Sequence, residues 1–255
     1  MIKRKYLCAC LRARQARIMP QPSLDIVLPC YNPPEGWTQA VIHSLSKICN
    51  ALSETKVRLV IVNDGSTNDI TPGFELLKER FPIIAVEAYR DNKGKGYAVR
   101  RGVALAESDV VVYTDIDFPY EEAGLLAIYK ALSGNQCDVA LGIRDDDYYR
   151  NVPASRRMIS RFLKQLIRLT LNVPTTDTQA GLKGFNKKGR EVFLKTSINR
   201  YLFDLEFIWL AAREKGLRIQ LVPLQVKEGL HFSAMNWKIL FTEAFNFMRI
   251  LFRLR

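Results

Sequence analysis

A chain of 255 residues with 38 Lys+Arg against 26 Asp+Glu, a formal net charge of +12, is long enough for one large domain with a real core. The positive balance asks for an anionic partner, whether nucleic acid, a membrane surface or a phosphorylated substrate. The five cysteines, at 8, 10, 30, 49 and 137, are odd in number and lack paired CxxC spacing, which argues against a disulfide framework or zinc site and for free thiols in a reducing compartment.

Residues 1–23 are basic, but the apolar run at 6–11 is too short for a secretory signal, and no uncharged apolar run reaches bilayer length. The expectation is a cytoplasmic protein, soluble or peripheral to a membrane. Its basic leader at 1–23 is read as disordered or as an overextended start; one domain at 24–230 and a C-terminal amphipathic helix at 231–255 follow. Leu24-Asp25-Ile26-Val27-Leu28-Pro29 reads as the first strand, running into the turn cluster Cys30-Tyr31-Asn32-Pro33-Pro34. A helix is predicted over 37–52 from Val41, Ile42, Leu45, Ile48 and Leu52 at helical spacing, with His43 solvated.

Residues 58–62 form a second strand and bring Asp64 to its C-terminal end; Ser66, Thr67 or Asn68 is placed to cap the next helix. A plain capping loop accounts for Gly65 and Ser66, and less well for Asp64. A third strand at 83–88 leads to Asn92-Lys93-Gly94-Lys95-Gly96. There two glycines admit a ligand close to the backbone, and lysines beside a helix start favour phosphate. The Walker spacing is absent. A helix predicted over 96–106 returns to Val110-Val111-Val112-Tyr113-Thr114-Asp115-Ile116-Asp117, a β-branched run that ends in two carboxylates. In extended backbone, positions i and i+2 share a side, so Asp115 and Asp117 project together where open α/β sheets bind ligands. Two hard oxygen donors there suit Mg²⁺ or Mn²⁺; a solvated Asx turn is the alternative.

These four strand-end features, in this order, resemble the family 2 glycosyltransferases of the GT-A fold, and within them the dolichyl-phosphate glucosyl- and mannosyltransferase-like branch. The resemblance runs from about residue 24 to about residue 229. Two positions depart from the family pattern. Pro119 stands where mannosyltransferase-type relatives often place a metal-holding glutamine, and Pro33 replaces the Glu that commonly follows Tyr-Asn. Glu121 and Glu122 are placed to favour a helix N-terminus.

Further along, 138–142 is a strand ending in Arg144 and an acidic loop, and a helix is predicted from 153 to about 171. Met158, Ile159, Phe162, Leu163, Leu166 and Ile167 form its apolar stripe, with Arg157, Arg161, Lys164 and Arg168 on another side. Such a helix serves as a surface helix, a nucleic-acid face or a membrane-interface helix. Asp177-Thr178-Gln179-Ala180-Gly181-Leu182-Lys183 looks like the Asp-Thr-Gln-x-Gly-x-Lys segment of the glucosyltransferase-like enzymes; a polar loop entering a Gly-rich strand is its plain reading. Asp204 and Glu206 open a helix, residues 219–224 close the sheet, and 237–255 is an apolar helix with a narrow polar stripe.

The resemblance implies a mostly parallel, Rossmann-like α/β sheet flanked by helices, with basic amphipathic helices toward the C-terminus. It implies inverting transfer of a hexose from a nucleotide sugar of the UDP-glucose or GDP-mannose type to a polyprenyl phosphate, at the cytoplasmic membrane face. Pro29, Tyr31, Asn32, Asp64, Lys93, Lys95, Asp115 and Ile116 would bind the nucleotide sugar, and Asp115 and Asp117 the Mg²⁺ or Mn²⁺. Asp117 and Asp204 would be catalytic; Arg144, Arg157, Ser160, Gln179 and Lys183 would hold the acceptor phosphate. A membrane surface, a second copy of the chain or an integral membrane protein are the expected partners. Two rivals stay open: transfer to a polysaccharide or other sugar acceptor with Asp204 or Glu206 as base, and a non-catalytic sugar-nucleotide-binding homologue. A nucleic-acid partner has charge in its favour but nothing resembling a nucleic-acid-binding module.

Overall fold

The computed structural model describes residues 21–81, 84–144, 154–227 and 237–252; the side chains at 154–157, 159, 160, 162 and 237–241 lie outside the description. Seven strands form one sheet in the order β3-β2-β1-β4-β6-β5-β7. β1 (Leu24–Cys30) sits between β2 (Val57–Asp64) and β4 (Val110–Tyr113), parallel to both. β3 (Ile84–Tyr89) extends that side, while β5 (Val139–Arg144) and β7 (Ile219–Leu224) form the other edge. The exception in direction is β6 (Lys183–Phe185), which runs antiparallel to both β4 and β5.

Alternation along the strands decides which helices cover which face. Leu24, Ile26 and Leu28, with Val110 and Val112, join a core under α1 (Trp37–Ala51), α2 (Thr71–Arg80) and α4 (Glu122–Ser133). Val27, Val111 and Tyr113 face the opposite core, with Val99 and Val103 of α3 (Lys95–Leu105) and the aromatic residues of α6 (Lys187–Phe193) and α7 (Phe203–Arg213). Burial on both faces is why these strands read as unbroken apolar runs. α5 (Ala154–Thr170) and α8 (Trp237–Phe252) add Ile167, Phe247 and Ile250 to that second core. Met158, Leu169, Phe245, Met248 and Phe252 point outward and are exposed. Among the described residues, no helix is long and apolar enough to cross a membrane.

The reversal at β6 positions the site. A strand that runs against its neighbours starts at the edge where they end. The segment leading into Lys183 therefore arrives at the C-terminal ends of β1, β4 and β5. Glu122 fastens this end of the molecule. Its carboxylate accepts hydrogen bonds from Ser44 of α1 (2.8 Å) and from Lys47 and Lys227 (3.3 and 2.6 Å).

Local capping differs from the sequence reading at one place. Ser66, Thr67 and Asn68 precede α2 without capping it; its N-cap residue is Ile70, with no side-chain bond, and Asp69 accepts from the Thr71 N–H.

Candidate active site

A cleft of about 780 Å³ opens at the C-terminal edge of the sheet. Its floor is the segment after β4, where Asp115, Ile116 and Asp117 all line the cavity. Strand alternation is not what brings the two carboxylates together, contrary to the sequence argument. β4 stops at Tyr113, and a turn follows, closed by the Phe118 N–H donating to the Asp115 carbonyl (3.0 Å), with Phe118 at φ 47°.

Lys95, at the first position of α3, places its Nζ 2.5 Å from Asp115 Oδ1. Enclosure works against its charge, but Asp115 and then Asp204 more than offset this and raise its pKa. Asp117 is pushed the same way for the opposite reason: enclosure by the cleft and the adjacent Asp115 charge disfavour its ionised form and raise its pKa. Among the described residues no cluster of three or more His, Cys, Asp or Glu forms a ready cation cage. Two carboxylates facing open space are the donor set that suits Mg²⁺ or Mn²⁺, which take one or two protein carboxylates and complete their shell with water and substrate phosphate. The residues present fit such an ion.

One wall comes from the segment ahead of β6. Gly181 packs so tightly that a Cβ there would lie 2.5 Å from Asp115 Oδ2, and its N–H donates to Tyr120 Oη (3.0 Å). Gln179 lines the same wall. Arg144, at the end of β5, gives its backbone N–H to Asp177 Oδ2 (2.7 Å) and its guanidinium to the same carboxylate. Burial would raise the Asp177 pKa; the Arg144 hydrogen bonds outweigh it and hold it low.

The other end is built on Asp64, which is 2 % exposed. Its carboxylate accepts the N–H groups of Lys93 (2.7 Å) and Gly94 (2.9 Å) and the Asn92 amide (2.9 Å), and so moulds the glycine turn ahead of α3. Gly94 is required there: at φ 104° a Cβ would sit 2.5 Å from the Asn199 carbonyl. Pro29 and the half-exposed Tyr31 line this end as well.

Nine of the residues singled out by sequence thus share one cleft: Pro29, Tyr31, Asp64, Lys95, Asp115, Ile116, Asp117, Arg144 and Gln179. Four others are placed differently. Asn32 Oδ1 accepts from the Thr67 N–H (2.9 Å) and Thr67 hydroxyl, tying down the neighbouring loop rather than facing a nucleoside. Lys93 places its Nζ over the rings of Tyr89 and Tyr97 (5.5 and 4.9 Å) and does not line the cleft. Lys183 is fully buried, its Nζ bonded to the Ala180 carbonyl and, at 2.8 Å, to Asp204 Oδ1, so it cannot meet an acceptor phosphate. Asp204 also accepts the Tyr113 hydroxyl (2.5 Å) and lies behind the cleft as a buried counter-ion, not as a cleft-facing base. Glu206 caps the Ser197 and Ile198 N–H groups (2.8 and 2.7 Å). The side chains of Arg157 and Ser160 lie outside the described residues. The sequence reading missed Tyr120, Arg200 and Tyr201, which also line the cleft. Arg200 and Tyr201 sit in the loop before α7, where no local pattern marks them.

Against known proteins, residues 25–193 match the family model described as glycosyl transferase family 2. The chain belongs to glycosyl transferase family 2. Among its curated relatives, the dolichyl-phosphate beta-glucosyltransferase of Saccharomyces cerevisiae is 26% identical over 231 residues, covering 80% of this chain and 67% of the relative. The dolichol-phosphate mannosyltransferase of Pyrococcus furiosus is 24% identical over 233 residues, covering 91% and 63%. The chain thus spans about two thirds of the length of these relatives. Its fold is that of GT-A glycosyltransferases. Mannosyl-3-phosphoglycerate synthase from Rubrobacter xylanophilus superposes with a TM-score of 0.66 at 17% identity, covering 92% of this chain and 74% of that one. Glucosyl-3-phosphoglycerate synthase from Mycobacterium tuberculosis, solved in complex with Mn²⁺, UDP-glucose and phosphoglyceric acid, gives 0.62 at 17% identity, covering 86% and 74%. In this family 2 chain the paired carboxylates, the glycine turn and the Arg144 wall face one shared space.

Proposed function

We propose that this family 2 chain is an inverting glycosyltransferase that moves a hexose from a nucleotide sugar, of the UDP-glucose or GDP-mannose type, to a polyprenyl phosphate. The observation that carries this reading is the cleft floor, where Asp115 and Asp117 stand between Lys95 on one side and Arg144 on the other. A diphosphate leaving group and an anionic acceptor both need positive charge brought close, and the two walls supply it.

Asp64, through the turn it moulds, and the 29–31 turn would hold the nucleoside. Asp115 and Asp117 would ligate Mg²⁺ or Mn²⁺, which when bound neutralises the charge that develops on the departing diphosphate. Lys95 is poised to add its own charge to those phosphates. Arg144 and Gln179 would orient the acceptor, and a phosphate oxygen, already anionic at pH 7, needs orientation more than a base. The burial of Asp204 behind Tyr113 and Lys183 favours this acceptor over a sugar hydroxyl, which would demand a base in the cleft. Two GT-A neighbours and the dolichyl-phosphate relatives pair a sugar with a phosphate-bearing group in their names, and one of these neighbours was solved with UDP-glucose.

We further propose that the protein works peripherally at the cytoplasmic membrane face. Phe245, Met248 and Phe252 of α8 lie exposed around Arg249, and Arg161 and Arg168 are exposed on α5 beside Met158 and Leu169. Apolar side chains with adjacent cations suit an anionic leaflet, each nearby Lys or Arg adding about 1 kcal/mol.

The test is transfer from a panel of nucleotide sugars with Mn²⁺ or Mg²⁺ to a short polyprenyl phosphate in vesicles. A lipid-linked monosaccharide is the expected product. Binding of a donor with no lipid product would overturn the acceptor assignment.

A further inference from the structure

We infer that Arg200 contacts the diphosphate of the donor, as a second cation beside Lys95 on the glycine-turn side of the cleft. This rests on the nucleotide-sugar reading above. Arg200 lines the cleft and is exposed to it, and its stem crosses the turn where Gly94 has no side chain: a Cβ at 94 would lie 3.5 Å from Arg200 Cγ. That turn opens α3, the same element that carries Lys95 and whose N-terminus favours anions. In sheet order Arg144 stands on the far side of Asp115, beyond β6, so Lys95 and Arg200 form one cationic wall and Arg144 the other.

The cations of the cleft differ in what they hold. Lys95 is paired with Asp115 and Arg144 with Asp177, whereas Arg200 makes no ion pair among the described residues. Among the described residues its guanidinium makes no hydrogen bond or ion pair, with only the charge of Glu243 acting on it from a distance, and at the rim of an anion-seeking cleft it has the geometry for two-point phosphate recognition.

The backbone carrying it is held on three sides. The Asn199 carbonyl accepts the Tyr97 N–H of α3 (3.2 Å), and Arg100 donates to the Asn199 side chain (2.5 Å). Glu243 of α8 accepts the N–H groups of Tyr201 (3.3 Å) and Leu202 (2.8 Å). A residue fixed in this way loses little freedom on meeting its ligand.

Calorimetric titration with UDP, GDP, uridine and guanosine, each with Mn²⁺, tests the inference. In the unmodified protein the preferred diphosphate binds more tightly than its nucleoside. Arg200→Ala is expected to weaken that diphosphate by about 10- to 100-fold and leave the nucleoside unchanged, with Arg200→Lys recovering part of the loss. An equal loss for diphosphate and nucleoside would make Arg200 structural and overturn the inference. Unchanged diphosphate binding with a raised KM for polyprenyl phosphate would move Arg200 to the acceptor and overturn it too. Failure of the unmodified protein to prefer any diphosphate over its nucleoside would instead remove the nucleotide-sugar reading, and this inference with it.

Discussion

Gly181, ahead of β6, and Asp115, just past β4, share one space: a single methyl group at 181 would stand 2.5 Å from Asp115 Oδ2 and 3.7 Å from Lys95 Nζ. The carboxylate is thus held in place by the absence of a side chain opposite it. Gly181→Ala is expected to push Asp115 aside. Sugar transfer should fall on the order of 100-fold, since displacements near 1 Å at a reacting centre cost about that much. Steady-state kinetics together with a thermal melt check this. Full activity at a normal melting temperature would show that Asp115 has slack.

Asp115→Asn keeps the shape and removes the charge. The side chain is 35% exposed and its partner Lys95 23%, so the fold should survive with a stability change within about 1 kcal/mol. Transfer should drop by roughly 100- to 1,000-fold, and the concentration of Mn²⁺ needed for half-maximal rate should rise. Titrating the variant with Mn²⁺ reads both; an unchanged metal requirement would take Asp115 out of the ligand set.

Asp204 predicts the reverse pattern. It is the partner of Lys183, which is wholly buried, and it also receives the Tyr113 hydroxyl. Burial lowers the Lys183 pKa and Asp204 opposes that shift. Asp204→Ala would strand a charge in the core and cost on the order of 3–5 kcal/mol in urea unfolding. Pairing it with Lys183→Met should recover most of the loss. If Asp204→Ala unfolds like the parent but is inactive, a catalytic role is restored to it.

Glu122 gives a pH dependence. Burial alone would raise its pKa from 4.5, but hydrogen bonds from Lys227 and Ser44 bring it down to about 2. Because the folded value lies below the unfolded one, the contribution is fully present above about pH 4.5. It is lost as pH falls toward 2, amounting to roughly 3 kcal/mol. Urea midpoints for the parent should decline across that window. Those of Glu122→Gln should start lower and decline less; parallel curves would show that Glu122 is unimportant to acid stability.

Several of these relationships could be read from the chain and others could not, for identifiable reasons. The β-branched run at 110–113 and its partners 24–28 and 58–62 announce buried strands through composition alone, and the acids after them, Asp64, Asp115 and Asp117, fall in the cleft. Lys183 misleads because its type suggests phosphate, whereas its position on a three-residue reversed strand turns it inward. Nothing local specifies that Asp204, 21 residues on, waits there. Asn32 misleads likewise, since a side chain able to meet a nucleoside equally accepts the Thr67 N–H, 35 residues later. Arg200 carries no local signal, because its place in the cleft comes from lying over Gly94, a neighbour only in space.

The reversed strand also joins two stretches of the chain across the cleft. Asp64, Lys95, Asp115 and Asp117 arise before residue 118, whereas Arg144, Gln179 and Gly181 arise after it. The two portions of the sheet meet at a seam of three pairs: Val111 with Phe185, Val112 with Gly184, and Tyr113 with Lys183. So short a junction makes Gly184 a shared point of the two walls: a Cβ there would lie 2.9 Å from Val112 Cγ2, and a side chain at 184 would shift both edges of the cleft at once.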